Sequence, residues 1–253
     1  MPPELAHLSY SSISTYLLCA RAWRYHYADR VAVPSAPALV FGSAWHGMVE
    51  NFLRLGGDLA PLWREAWGTQ LTQNPHVAWT PQQTAEVLNN EGLRMAAAPD
   101  VLTLLQSIKV DRDSDGPCIE RKVELHVPGV PIPVIGYIDF LSSGVPCDIK
   151  TAGRAWSESK QYAETQPLFY LAALNQAGMH NHNWRFRHYV FVKGKTPQVQ
   201  ELETTIRPAQ VFWLLDQIAS VWRGISADVY PTNPNSWKCD PHFCDYWVSC
   251  RGR

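Results

Sequence analysis

Hydrophobic positions along the chain switch between two periods, and the switch points divide it into elements. Residues 134–150, VIGYIDFLSSGVPCDIK, hold two runs, Val134–Leu141 and Val145–Ile149, that are apolar and β-branched enough to be strands. Ser142, Ser143 and Gly144 between them are turn formers, so the pair predicts a hairpin. Upstream, Cys118–Val127 alternates, with Ile119, Val123, Leu125 and Val127 apolar, and predicts a strand that Pro128–Pro133 turns into the hairpin. Downstream, Arg185–Lys193 and Gln198–Thr205 predict two more strands around a turn at Gly194. Helical spacing governs most of the rest. Ser9–Tyr27 predicts a helix capped by Ser9 or Ser11, with Ile13, Tyr16, Leu17, Ala20 and Trp23 as its buried stripe. After a Pro- and Ala-rich connection over 28–38, Phe41–Leu53 predicts a helix with Trp45, Val49, Phe52 and Leu53 inward, stopped by Gly56-Gly57. Leu59–Leu71, Pro81–Ala98 and a short piece to Ile108 read as a helical insertion covering one side of the functional site, in the manner of a lid. Thr165–Gly178 predicts a helix with Pro167 in its first turn. Pro208–Ile225 is amphipathic through Val211, Leu214, Leu215, Ile218, Trp222 and Ile225.

Chemistry enters at the hairpin. Each strand sets an acid among apolar neighbours, Asp139 in one and Asp148 in the other, and Lys150 leaves the same strand face as Asp148. Two carboxylates and an ammonium beside a sheet core are costly to desolvate unless compensated. A divalent cation held by both acids would compensate them, and so would an ion pair of Lys150 with Asp148 or Asp139. His46 and Glu50 are four apart on one helix face, either bonded to each other or reaching a metal. Glu120 and Glu124 lie on the strand face opposite Ile119; a solvated face accounts for both, and one of them could join a metal. Gln166 and Tyr170 project together from their helix, as plain surface or toward a substrate phosphate. Arg187 and Lys193 sit at strand ends, where they could touch phosphates. The acidic stretch Asp111–Gly116 lacks the glutamate that closes a calcium loop and reads as a surface turn.

Composition narrows the classes. With 253 residues, 46% hydrophobic and 18% charged, the chain is globular and long enough to bury a large core. The eleven tryptophans fit core side chains better than a stacking surface. A net charge of -1 excludes a general polyanion sponge but not a locally basic channel for nucleic acid. No apolar run approaches a membrane span, and the first residues carry no secretory signal pattern, so a reducing cytoplasm is expected. There, six cysteines are metal ligands or buried thiols rather than disulfides. Cys147 precedes Asp148 and so faces packing. Cys239, Cys244 and Cys250 are spaced C-x4-C-x5-C in the tail. Zinc and an iron–sulfur cluster both want a fourth ligand, from Cys19, Cys118, Cys147 or His242; a disulfide with one free thiol is the remaining option.

In chain order these residues form a pattern: Gly42…His46, Gly136-Tyr137-Ile138-Asp139, Asp148-Ile149-Lys150-Thr151, Gln166…Tyr170, and Tyr16…Cys19 with the cysteine trio. The pattern resembles the PD-(D/E)XK nuclease superfamily, and within it the RecB/AddB-type exonucleases with an iron–sulfur cluster, including CRISPR-adaptation and phage recombination nucleases. It spans the chain apart from 58–115. Two departures are visible: C-x4-C is wider than the commoner C-x2-C, and the second acid is Asp rather than Glu. The resemblance implies a restriction-endonuclease-like α/β fold, a mixed central sheet flanked by helices, in one domain over 1–253. It implies His46, Asp139, Asp148 and the Ile149 carbonyl as ligands of Mg²⁺ or Mn²⁺; Glu50 and Glu124 are additional candidates from their positions on the helix and the strand. Lys150 would act on the attacking water, and Gln166 and Tyr170 on the scissile strand. It implies a [4Fe-4S] cluster, with Zn²⁺ as the alternative, on Cys19, Cys239, Cys244 and Cys250, clasping the N-terminal helix to residues 230–253. The implied activity is a DNA exonuclease on single strands or ends, in recombination or repair, with a recombinase, helicase or integrase as candidate partner. CRISPR spacer processing and a non-catalytic DNA-binding subunit are the alternatives.

Overall fold

The computed structural model describes residues 3–252. Its centre is the predicted hairpin, β5 (Val134–Ser142) and β6 (Val145–Ala152). Ser143 and Gly144 both take positive φ, 54° and 73°, as a two-residue hairpin turn requires. The Asp111 carboxylate holds that turn, accepting the backbone N–H groups of Ser143 at 2.8 Å and Gly144 at 2.6 Å. The acidic stretch is therefore a surface hairpin, β2 (Arg112–Asp113) with β3 (Gly116–Pro117), whose leading residue pins the central one.

Around that hairpin the sheet is mixed. β4 (Ile119–Leu125) runs antiparallel along one edge of β5. On the other edge, β6 pairs with Phe140–Ser142, while the short β1 (Leu8–Ser9) pairs in parallel with Val134 and Ile135. Between those two neighbours, residues 136–139 of that edge have no strand partner among the described residues, so the sheet forks there. β7 (Arg185–Val192) continues parallel to β6, and β8 (Gln198–Thr205) closes the far edge antiparallel to β7. Between β6 and β7 the chain crosses over through α7 (Glu158–Ala163) and α8 (Gln166–Gln176).

Helices cover both faces. On one lie α1 (Tyr10–Leu18), α8 and α9 (Gln210–Ser226), packing Ile13, Phe169, Leu171, Ile218 and Ile225 on Val134 and Ile138. On the other lie α3 (Pro37–Leu55), α4 (Leu59–Gln73), α5 (Ala85–Ala96) and α6 (Pro99–Ser107), packing Trp45, Trp63, Trp67, Met95 and Leu105 on Phe140, Ile149 and Phe191. The block over 58–108 is thus helical as expected, but it is no lid: it builds one of the two core layers.

The first long helix departs from the periodicity. Ser9 caps α1 through a reciprocal pair, the Ser12 N–H donating to Ser9 Oγ at 3.0 Å and the Ser9 N–H to Ser12 Oγ at 3.1 Å. The helix then stops at Cys19, which is extended (φ −164°, ψ 107°), and resumes as α2 (Ala20–Trp23) and a π-helical turn over Arg24–Ala28. Residues far along the chain satisfy the interrupted backbone. Leu18 O accepts from Asn233 Nδ2 at 3.0 Å, and the Arg21 N–H donates to Pro231 O at 3.2 Å. Leu17, expected inside, is half exposed, because α1 leans toward α9 on the side of Tyr16. The other boundary errors have local causes. Pro37 starts α3 earlier, at N1, than Phe41 does, and Thr84 rather than Pro81 caps α5.

The tail docks back on this broken helix. The Tyr16 hydroxyl donates to Val229 O at 2.5 Å, and His26 Nδ1 meets the Tyr246 hydroxyl at 2.9 Å just before α10 (Trp247–Arg251).

Candidate active site

The fork is where the acids meet. Continuing the register of β5 and β6, Phe140 with Cys147 and Leu141 with Pro146, would set Asp139 opposite Asp148, and there the ladder stops. Carboxylates directly opposite repel, and an open ladder separates them. Alternation also breaks at this point: Ile138 packs in one layer and Phe140 in the other. The Asp139 side chain turns into the gap and takes the place of a strand, accepting the Ile149 backbone N–H at 2.6 Å.

Each face supplies groups to the gap. From α3, His46 Nδ1 comes within 3.4 Å of Asp139 Oδ2. From β6, Lys150 Nζ donates to Asp148 Oδ1 at 2.8 Å, and from α8 Gln166 Oε1 accepts from the same ammonium at 3.0 Å. Gln166 Nε2 donates to the Tyr170 hydroxyl at 3.2 Å, and that hydroxyl donates to Tyr137 O, an open carbonyl of the fork, at 2.5 Å. Gly136 is what admits α8 so closely. A Cβ there would stand 2.5 Å from Phe169 Cε1 and 3.0 Å from Tyr170 Cε1. The Tyr10 hydroxyl bonds Thr165 at the start of α8 and fixes the near end of the same helix.

The electrostatics follow from burial. Asp148 is 2% exposed, and its Oδ2 lies 2.7 Å from Lys150 Nζ but out of line for a hydrogen bond, so a buried carboxylate oxygen is left without one. Burial, then the neighbouring Asp148, pushes the Asp139 carboxyl well above its usual range, against the pull of the Ile149 amide. Burial lowers the His46 pKa and favours the neutral imidazole, the form that binds metals. Burial opposes the Lys150 charge, but Asp148 and then Asp139 outweigh it, so the ammonium is held. Tyr170 is raised, by burial first and then by both acids, and stays a donor.

Of the two compensations the residues allow, the Lys150–Asp148 ion pair is the one displayed. Among the described residues no group of three or more His, Cys, Asp or Glu side chains stands ready-made for a metal ion. The donor chemistry nevertheless fits one: two carboxylates, one lacking a hydrogen bond at a buried oxygen, and a neutral imidazole.

Other candidates fall differently. Glu50 bonds Arg54 at 3.0 Å, one turn on, rather than His46. Glu124 is a surface group paired with Lys122 at 2.7 Å. The acid that joins the site is Glu120, which the register of Ile119 with Phe140 and Arg121 with Ile138 sets opposite Asp139. Burial of its carboxyl, then Asp139 and Glu50, raise its pKa to about 7. Alternation alone could not choose between the two glutamates. A carboxyl raised from the usual 4.5 weakens the fold as pH climbs toward 7, because the unfolded chain ionises first. Glu120→Gln should therefore raise the melting temperature of metal-free protein at pH 8 by about 2–4 °C, for about 1 kcal/mol after solvent screening, and leave it unchanged at pH 4. Equal gains at both pH values in a thermal melt would contradict this. Arg187 is taken by Glu201 at 3.2 Å and Glu203 at 2.8 Å, and Lys193 lies over the Phe41 ring, so neither faces the fork.

At the tail, Cys19, Cys239, Cys244 and Cys250 line one cavity of about 450 Å³. Cys118 and Cys147 are buried in the sheet layers instead, and His242 pairs with Asp240 at 3.0 Å. Arg251 Nη2 donates to Cys239 Sγ at 3.5 Å, and the Cys244 thiol is pushed up, by burial first and then by the other three sulfurs. Four thiols lining one cavity supply the donor chemistry of a thiolate-bound metal or cluster, although they do not stand together as a ready-made site.

Comparison with known proteins bears on the fold and the family. Among solved structures, a crystal structure from Eubacterium rectale described as a "putative exonuclease" shares the fold, at TM-score 0.64 and 11% identity over 92% of this chain and 87% of that one. No curated protein matches the chain. No helix among the described residues is long and apolar enough to cross a membrane. The family model of the PD-(D/E)XK nucleases matches residues 7–251, nearly the whole length over which the forked sheet and its acids are built. The chain belongs to the PD-(D/E)XK nuclease superfamily.

Proposed function

We propose that the protein is a metal-dependent DNA exonuclease acting on single strands or ends, in recombination or repair. The observation that carries this reading is the fork itself, where the Asp139 and Asp148 strands part and His46 and Lys150 reach the same gap from different elements. His46, Asp139, Asp148 and the Ile149 carbonyl would hold Mg²⁺ or Mn²⁺. When bound, the ion lowers the pKa of a water and neutralises charge on the phosphate. The chain's own groups do the rest. Lys150, kept protonated by Asp148, stabilises the charge that builds on the phosphorus oxygens as water attacks and the bond to the 3′ oxygen breaks. Gln166 fixes the direction of that ammonium, and Tyr170 fixes Gln166 against the strand backbone. Cys19, Cys239, Cys244 and Cys250 would hold a [4Fe-4S] cluster, or Zn²⁺, as a clasp away from the chemistry.

A time course with 5′- and 3′-labelled DNA, single- and double-stranded, in Mn²⁺ or Mg²⁺ tests the reading. Progressive shortening of the single strand from one end is expected. Four substrates left intact with both metals would sink it.

A further inference from the structure

The sheet face beside the fork carries a feature that the hydrolytic groups do not use. Gly136 and Ile138 face α8, so Tyr137 between them points the other way, and it is 52% exposed. Register sets it directly opposite Lys122 of β4, whose ammonium Glu124 holds at 2.7 Å. Directly opposed side chains on a sheet stand close enough to interact. A cavity of about 530 Å³ joins Tyr137 and Lys122 to Gln166 and Tyr170 on one side and to Ser9 and Ser11 on the other. The Tyr137 backbone is anchored in that cavity, its carbonyl taken by the Tyr170 hydroxyl at 2.5 Å. An exposed tyrosine is ordinary on its own. This one has its backbone anchored, stands opposite a cation and lines a cavity shared with Gln166 and Tyr170 of the candidate active site.

Distance gives it a role. Tyr137 precedes Asp139 by two strand residues, roughly 6.6 Å of rise, about the length of one stretched nucleotide. Resting on the DNA-hydrolase reading above, we infer that Tyr137 is the stacking platform for an unpaired nucleobase one nucleotide from the scissile phosphate. The substrate class is then single-stranded nucleic acid, because a base still paired in a duplex cannot lay its face on the ring. Stacking on an aromatic side chain tolerates any base, so the subsite reads strandedness and not sequence.

The test separates this subsite from the hydrolytic reading, because binding is measured in chelator, where nothing is cut. The wild type and the variants Tyr137→Ala, Tyr137→Phe and Tyr137→Trp are titrated by fluorescence anisotropy against labelled oligothymidylate and against an abasic strand of the same length. Tyr137→Ala should bind oligothymidylate about tenfold more weakly. Phe and Trp should bind within about twofold of wild type. All four proteins should hold the abasic strand alike. Wild-type affinity in Tyr137→Ala, an equal loss on the abasic strand, a Phe variant as weak as Ala, or a wild type that binds no oligothymidylate would each overturn the subsite. Failure to cut in Mn²⁺ by a protein that passes the binding test would overturn only the hydrolytic reading.

Discussion

Asp148→Asn is expected to lower phosphodiester hydrolysis about a thousandfold, with the fold retained. The substitution keeps the shape of a side chain that is 2% exposed, so packing is undisturbed. What disappears is a charge with two partners. It is a ligand of the proposed ion, and it is the group that holds Lys150 protonated at 2.8 Å. Removing one member of a fully buried pair costs about 3–5 kcal/mol. Here the loss should be about 1–2 kcal/mol, because Lys150 is partly open to solvent and keeps Gln166 as acceptor. Far-UV circular dichroism should match wild type while the melting temperature drops by a few degrees. A second readout does not depend on activity. Mn²⁺ that binds only folded protein stabilises it by about 2.7 kcal/mol at a hundredfold excess over Kd. The wild type should show that thermal shift, and Asp148→Asn should lose it. The shift should also be larger at pH 8 than at pH 5. Without metal, Asp139 titrates above its unfolded value, so folded stability is lost as pH rises, and an ion that replaces the proton restores it. Unchanged degradation of labelled DNA by Asp148→Asn would refute the assignment.

The parts of this site that were legible from residues are those set by local rules. Alternation placed Asp148 and Lys150 on one strand face, and the turn at Ser143-Gly144 fixed the hairpin that brings Asp139 near them. The i, i+4 spacing of Gln166 and Tyr170 gave their contact, at 3.2 Å. The parts that were not legible depend on departures from regularity. Glu120 takes φ 52°, and around it β4 passes from packing Ile119 in one layer to packing Val123 in the other. A period-two reading has no term for that change of side, so it could not choose between Glu120 and Glu124. The break at Cys19 was hidden for a similar reason. Tyr10–Trp23 has helical periodicity throughout, and its interruption is stabilised by Asn233 and Pro231, from more than two hundred positions away. The helical block 58–108 showed its helices but not its task, because Trp63 and Trp67 read alike whether they cap a site or fill a layer.

Cys244→Ala carries the other large expected effect: loss of visible colour and about 3 kcal/mol of stability, with DNA hydrolysis kept by the folded protein. The break that turns Cys19 out of its helix also aims it at the cavity shared with Cys239, Cys244 and Cys250. A metal or cluster there would tie the first helix to the last residues of the chain, and binding energy at such a site becomes folding energy. The loss should stop well short of complete unfolding. Hydrogen bonds that include Tyr16 to Val229, Asn233 to Leu18, Arg21 to Pro231 and His26 to Tyr246 already join the same ends, and the two core layers do not involve the four thiols. Assembly should release protons, because Cys244 sits above its usual pKa through burial and its neighbouring sulfurs, so the clasp should weaken as pH falls. Colour separates the two occupants. Purified wild type that is colourless and carries stoichiometric zinc would replace the cluster with a zinc site and leave the clasp standing. A Cys244→Ala protein that melts with wild type, whatever its colour, would mean that the four thiols hold nothing that the fold needs.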